Sequence, residues 1–289
     1  MAGGPPVRGG RGGRGHRRHD ADAGGDAELL ARKATLRTEV WDRLEVPGVA
    51  RFPGPRHRIP NFVGAEAAAE ALRDTAAWRA ARTVKANPDS PQWPVRQRAL
   101  EDGKTVYMAV PRLADDDPFF LLDPDHLADT PRRSSSIKGA SGSARTVAVD
   151  DLEPVDLVVT GCVAVTEDGV RLGKGGGFAD LEFALASEAG MIDDRTIVAT
   201  TVHELQVLPA GAVPVAAHDV RVDLIVTPDR VIEVARGRPR PVGRIRWQEL
   251  TAEKIAAIPL LARLAADRLP SSPARGPSPD RAPDREDHP

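Results

Sequence analysis

Arg171-Leu172-Gly173-Lys174-Gly175-Gly176-Gly177-Phe178-Ala179-Asp180 packs four glycines, two cations and one carboxylate into ten residues. An apolar run at residues 155–165 comes before it, and Glu167-Asp168-Gly169 makes a tight turn between the two. A helical stretch at residues 181–190 follows. The order is therefore strand, turn, glycine-rich loop, helix, which presents backbone N–H groups and a helix N-terminus to a phosphate. Glycine lets the backbone approach an anion closely and take positive φ. Arg171 and Lys174 add fixed charge for phosphate oxygens. The stretch is not a Walker A motif, because Phe178 follows its last glycine. It is not a dinucleotide fingerprint either, because it lies late in the chain, away from a first strand. Such turns also occur for packing alone; the two cations favour phosphate.

Working outward, apolar strand-like runs at residues 80–86, 104–111, 155–165, 196–202 and 222–228 alternate with helical patterns. The helical patterns fall at 28–44, 65–73, 95–102 and 181–190. This alternation argues for a layered α/β domain with a largely parallel sheet. Residues 132–145 read as a Ser/Gly/Arg loop near the mouth of the site. Residues 1–26 are rich in Gly, Arg and His and read as a disordered tail, 27–235 as the α/β domain, 236–269 as a helical extension broken near Pro259, and 270–289 as a second disordered tail. The RGG-like run at residues 9–15 has no aromatic residue, so a solvated arm is favoured over RNA binding.

The 289 residues carry a formal net charge of −2, which implies no global attraction to nucleic acid or anionic membrane. The single cysteine, Cys162, sits in an apolar run and reads as a buried strand thiol. One cysteine, no apolar stretch of the roughly 18 residues a membrane span needs, and no secretory h-region lead us to expect a cytoplasmic protein. Lys33 and Arg37 stand one helical turn apart on an amphipathic helix, where alone they would read as a solvated edge. His203-Glu204 at a strand end invites a functional reading, with a structural role for His203 favoured. His203 and His218 show no diagnostic metal spacing.

The loop resembles the Arg-Leu-Gly-x-Gly-x-Gly-Tyr-Tyr-Asp signature of 5-formyltetrahydrofolate cyclo-ligases, also called methenyltetrahydrofolate synthetases. It matches at Arg171, Leu172, Gly173, Gly175, Gly177 and Asp180; Phe178 replaces the first tyrosine and Ala179 the second. Lys33 and Arg37 match the Lys-x-x-x-Arg of that family's opening helix, and Gln206 matches a family glutamine. The resemblance implies a three-layer α/β/α fold and ATP-dependent closure of 5-formyltetrahydrofolate to 5,10-methenyltetrahydrofolate, with ADP and phosphate released. It implies that Lys33, Arg37, Arg171, Lys174 and the loop residues Gly173, Gly175, Gly176, Gly177 and Phe178 hold the triphosphate, Arg171 and Lys174 acting directly in catalysis. Mg²⁺ would bridge the phosphates, with Asp180 as a direct or water-mediated partner. Tyr107, Met108 and Gln206 are the candidate folate contacts, with core packing the alternative for the first two. The implied partners are ATP and folate, on a monomer or homodimer. Ala179 removes an aromatic hydroxyl and Glu182 adds negative charge, so a folate- or nucleotide-binding protein without the activity is the alternative.

Overall fold

The computed structural model describes residues 16–216, 219–235 and 244–268, with side chains from residue 27 onward. In chain order the helices are α1 (His16–Leu44), α2 (Ala65–Arg73), α3 (Ala76–Ala80), α4 (Trp93–Glu101), α5 (Pro131–Ser134), α6 (Ile137–Ser143), α7 (Phe178–Glu188), α8 (Ala252–Ala257) and α9 (Pro259–Arg268). The strands are β1 (Thr83–Ala86), β2 (Thr105–Ala109), β3 (Phe119–Leu122), β4 (Arg145–Val147), β5 (Leu157–Val159), β6 (Ala164–Thr166), β7 (Arg171–Leu172), β8 (Ile197–Thr201), β9 (Val207–Leu208), β10 (Leu224–Val226) and β11 (Val231–Glu233).

Eight strands form one sheet in the order β11-β10-β8-β5-β1-β2-β3-β4. The central run from β10 to β2 is parallel, and β11, β3 and β4 pair antiparallel at the edges. Side chains alternate between two cores, as the period of a strand demands. Val84, Ala86, Val106, Met108, Leu157, Val159, Ala199 and Leu224 join a core with residues of α2, α3, α4 and α6. Tyr107, Ala109, Val158, Val198 and Ile225 join the opposite core with α7, Ile258, Leu260 and Leu261. The expected three-layer α/β/α architecture is what forms.

The chain runs from β1 outward to β2, then returns to the other side of β1 to lay down β5, β8 and β10. The order therefore reverses between β1 and β5, and open α/β sheets bind ligands outside the carboxyl ends of strands at such a point. Asn87 and Gly161 stand there, just beyond the ends of β1 and β5.

Three sequence expectations change. Residues 155–165 are two strands, with β5 in the large sheet and β6 in a small one ordered β7-β6-β9. The Thr160 N–H still bonds the Ala199 carbonyl at 2.9 Å, but the Gly161 N–H turns to Asn87 Oδ1 at 3.0 Å, and the chain leaves the sheet. Residues 132–145 are not an open loop: Pro131 starts α5, and Ser136 caps α6 by accepting the Gly139 N–H at 3.0 Å. Helix α1 begins at His16, inside the stretch read from composition as a tail; residues 1–15 and 269–289 lie outside the described residues, as does His218. Among the described residues no helix is long and apolar enough to cross a membrane.

A Cβ at Gly161 would lie 2.8 Å from Gln92 Oε1 and 2.9 Å from Ile59 Cγ2, both in well-packed surroundings. Gly161→Ala is expected to lower stability by about 1–3 kcal/mol in urea titration, because those neighbours must shift.

Candidate functional site: cations around a glycine loop

The loop is held by the small sheet and by α1. Val40, Trp41 and Leu44 of α1 pack on Val163, Ala164, Leu172 and Leu208. Lys33 and Arg37 continue the same helical stripe toward the N-terminus, so packing that stripe turns both cations inward and brings Arg37 to the loop. The solvated-edge reading of the pair is thereby replaced. Lys33 is buried and its Nζ meets Asp219 at 2.6 Å. Arg37 Nε donates to the Gly173 carbonyl at 2.7 Å, and its guanidinium lies against Gly175. Burial pulls the Arg37 pKa below the ordinary arginine value, with Asp219 opposing.

Strands β6 and β7 form a hairpin whose second strand ends directly at the loop. Arg171 is buried, pairs with Asp180 in the first turn of α7, and donates to the Gly161 carbonyl at 3.4 Å. Burial penalises its charge, yet the carboxylate of Asp180, with Asp219 behind it, holds its pKa above the ordinary value. Lys174 is partly exposed and reaches Asp89 at 3.1 Å. Gly175 and Gly177 have φ of 101° and 65°, positions that exclude most side chains. Gly177 caps α7 without a side chain, so no side-chain cap occupies the first N–H groups of that helix. The expected loop residues, from Gly173 through Gly177 and Phe178 to Asp180, therefore form one continuous rim that includes Lys174, with Arg37 and Arg171 against it and Lys33 one turn back along α1 on Asp219.

Beneath this rim lie Lys85 and Arg96, which sequence reading did not single out, together with Glu182, which it did. Lys85 of β1 projects into the α7 side and bonds Glu182 at 2.8 Å; Asn87 Nδ2 reaches the same carboxylate oxygen at 2.7 Å. All three are buried. The negative charge expected from Glu182 near a phosphate site is thus met by Lys85. Arg96 is fully buried and donates to the carbonyls of Asn87, Asp89 and Ser135, which fixes the turn that delivers Asn87 and Asp89. Burial pushes its pKa down to about 9, with Asp89 opposing. Lys254 of α8 donates to the Gly176 carbonyl at 2.8 Å. A lysine inside an otherwise apolar strand was the available signal for Lys85; nothing local points to Lys254.

Other expected contacts do not gather at the rim. Tyr107 and Met108 are neighbours on β2, so they enter opposite cores and cannot wall one pocket. The Tyr107 hydroxyl accepts the Glu153 N–H at 3.0 Å. Gln206 is buried and donates to the Cys162 and Val163 carbonyls, while accepting the His203 N–H. It braces the connection between the two sheets. His203 caps a short 3-10 turn by accepting the Leu205 N–H, and burial lowers its pKa. Glu204 pairs with Arg230.

The fold and site together are an α/β/α domain with cations gathered at a glycine loop beside the point where the strand order reverses. The sequence matches the 5-formyltetrahydrofolate cyclo-ligase family over residues 26–228, and the chain belongs to that family. It is 41% identical over 235 residues to a methenyltetrahydrofolate synthase domain-containing protein of Mus musculus, covering 80% of this chain and 63% of that protein. The Homo sapiens protein of the same description is 38% identical over 237 residues, covering 81% of this chain and 61% of its own length. The chain thus spans about three fifths of these relatives. A solved structure of Aquifex aeolicus 5,10-methenyltetrahydrofolate synthetase is 20% identical, with a TM-score of 0.47 over 71% of this chain and 94% of that one.

Removing one partner of the buried Lys85–Glu182 pair strands the other charge. Glu182→Ala is expected to cost about 3–5 kcal/mol in urea titration, and Lys85→Met combined with Glu182→Leu to recover most of it. Burial raises the Cys162 thiol to about 11. The folded protein should therefore resist a thiol-specific dye near pH 8, and react once unfolded in urea.

Proposed function

We propose that the rim binds the triphosphate of ATP and that the protein closes 5-formyltetrahydrofolate to 5,10-methenyltetrahydrofolate. The observation that carries this reading is the gathering of Lys33, Arg37, Arg171 and Lys174 around a glycine loop with an uncapped helix N-terminus. Family membership supplies the reaction class.

The chemistry needs little from the protein beyond placement and charge. The formyl oxygen on N5 is a poor leaving group. It attacks the γ-phosphorus and ADP departs. N10 then attacks the formyl carbon, loses its proton to solvent, and the phosphate leaves as the methenyl bridge forms. Both stages depend on holding two substrates in contact and on neutralising phosphate charge. Arg171 and Lys174 would meet the phosphates from the loop, Lys33 and Arg37 from α1, and the loop N–H groups from below.

Asp180 offers a carboxylate at the rim, already engaged on one side by Arg171. Among the described residues no cluster of three or more His, Cys, Asp or Glu could cage a metal. That donor set suits magnesium, which keeps several waters and binds through one or two carboxylates together with substrate phosphates. When bound it would neutralise phosphate charge, with Asp180 holding it directly or through water. One cysteine allows no disulfide within the chain, which agrees with a cytoplasmic protein, acting as a monomer or homodimer.

A spectroscopic assay with 5-formyltetrahydrofolate, ATP and Mg²⁺ tests the reading, because the methenyl product absorbs where the substrate does not. ATP-dependent product is expected, and Arg171→Ala should lower kcat/KM by at least about a hundredfold. Nucleotide binding without product would instead favour the binding-protein alternative, for which the loss of the loop hydroxyl at Ala179 is the supporting observation.

A further inference from the structure

Lys254 lies beyond residues 26–228, where the chain matches its family, yet it reaches the centre of the glycine loop. Its Nζ donates to the Gly176 carbonyl at 2.8 Å and lies 5.2 Å from the centroid of the Phe178 ring. A Cβ on Gly177 would be 3.0 Å from that Nζ. Burial lowers the Lys254 pKa and Asp180 opposes the shift, so the ammonium is partly desolvated beside the Arg171–Asp180 pair.

Lysine placement here is built, not incidental. Thr251 caps α8 by accepting the Lys254 N–H at 3.2 Å. Ile258 and Leu261, just beyond, are buried in the same core as Leu181 and Phe183 of α7. Upstream, the Ile245 N–H donates to Glu188 at the end of α7 at 2.9 Å. The extension is therefore anchored to α7 on both sides of Lys254 without help from its ammonium.

In a trans peptide the carbonyl and the following N–H point in opposite directions. Drawing the Gly176 carbonyl toward α8 aims the Gly177 N–H the other way. Arg37 does the same to the Gly173 carbonyl from α1, and so aims the Lys174 N–H. We propose that Lys254, supplied by the C-terminal extension, is a positioning residue of the phosphate loop: it fixes the Gly176 peptide and keeps a positive charge beside the open first turn of α7. The ligand it serves is the polyphosphate of a nucleotide, and the inference rests on the nucleotide reading of the loop. The extension is then part of the binding site, and α1 and α8 clamp the loop from the two ends of the chain.

The test uses the full chain with Lys254→Met and Lys254→Arg. Titration calorimetry should show ATP and ADP binding about tenfold weaker in Lys254→Met, adenosine unchanged, and most of the loss restored by Lys254→Arg. Amide hydrogen exchange of the ligand-free protein should be faster at Gly177 and Phe178 in Lys254→Met, with an unchanged melting temperature. ATP affinity and loop exchange equal to wild type in Lys254→Met would overturn the proposal. Equal weakening for adenosine would overturn it as well, by showing a general structural role. A wild-type chain that binds no ATP would instead overturn the nucleotide reading, while the exchange measurement would still decide whether Lys254 holds the loop.

Discussion

Glu182 closing on Lys85 and Asn87 fixes the start of α7 against the carboxyl end of β1, and the site is arranged around that contact. A lysine on a buried strand face requires a carboxylate, because an isolated charge there would be far too costly to hold. Glu182 satisfies it from the first turns of the helix whose N-terminus carries the loop. Asn87 donates to that carboxylate through Nδ2 and accepts the Gly161 N–H on its side-chain Oδ1, which turns the chain out of the large sheet. One polar cluster therefore sets the position of α7, the exit of β5 and the entry to the hairpin that ends at Arg171.

Above this cluster the charges are already matched. Lys33 meets Asp219, Arg171 meets Asp180 and Lys174 meets Asp89. A cradle built this way can hold several cations close together without mutual repulsion unfolding it. A polyanion entering it must displace carboxylates or share cations with them, so its net attraction is smaller than a count of cations suggests. Asp219 is central to that balance, since its field reaches Arg37 and Arg171 as well as Lys33.

Local pattern made the loop, α1 and the sheet class legible. The glycine spacing and the four-residue step from Lys33 to Arg37 are properties of contiguous sequence, and the α/β alternation follows from apolar periodicity. Partners were not legible, because they are distant in sequence: 97 residues separate Lys85 from Glu182, and 85 separate Lys174 from Asp89. Two positions carried more information in the sequence than was drawn from them. Tyr107 and Met108 are adjacent on a strand, so the two-residue period already places them on opposite faces. Gly161 inside an apolar run signals a bend or a close approach, and it marks the break between β5 and β6. The antiparallel β3 is as long as β1, and its run Phe119–Leu122, bounded by Pro118 and Pro124, offered a strand signal that was not used.

Lys33 and Asp219 are 186 residues apart, and their ion pair closes across most of the domain. Closing a contact of that span carries a loop-closure entropy cost that local contacts do not. During synthesis α1 and its two cations emerge long before Asp219 leaves the ribosome. Until then Lys33 has no carboxylate to meet, and the anion cradle exists only in part. On the proposed reading of the loop, polyphosphate binding would therefore report that the whole domain has closed, and ligand would stabilise the finished fold without rewarding its fragments.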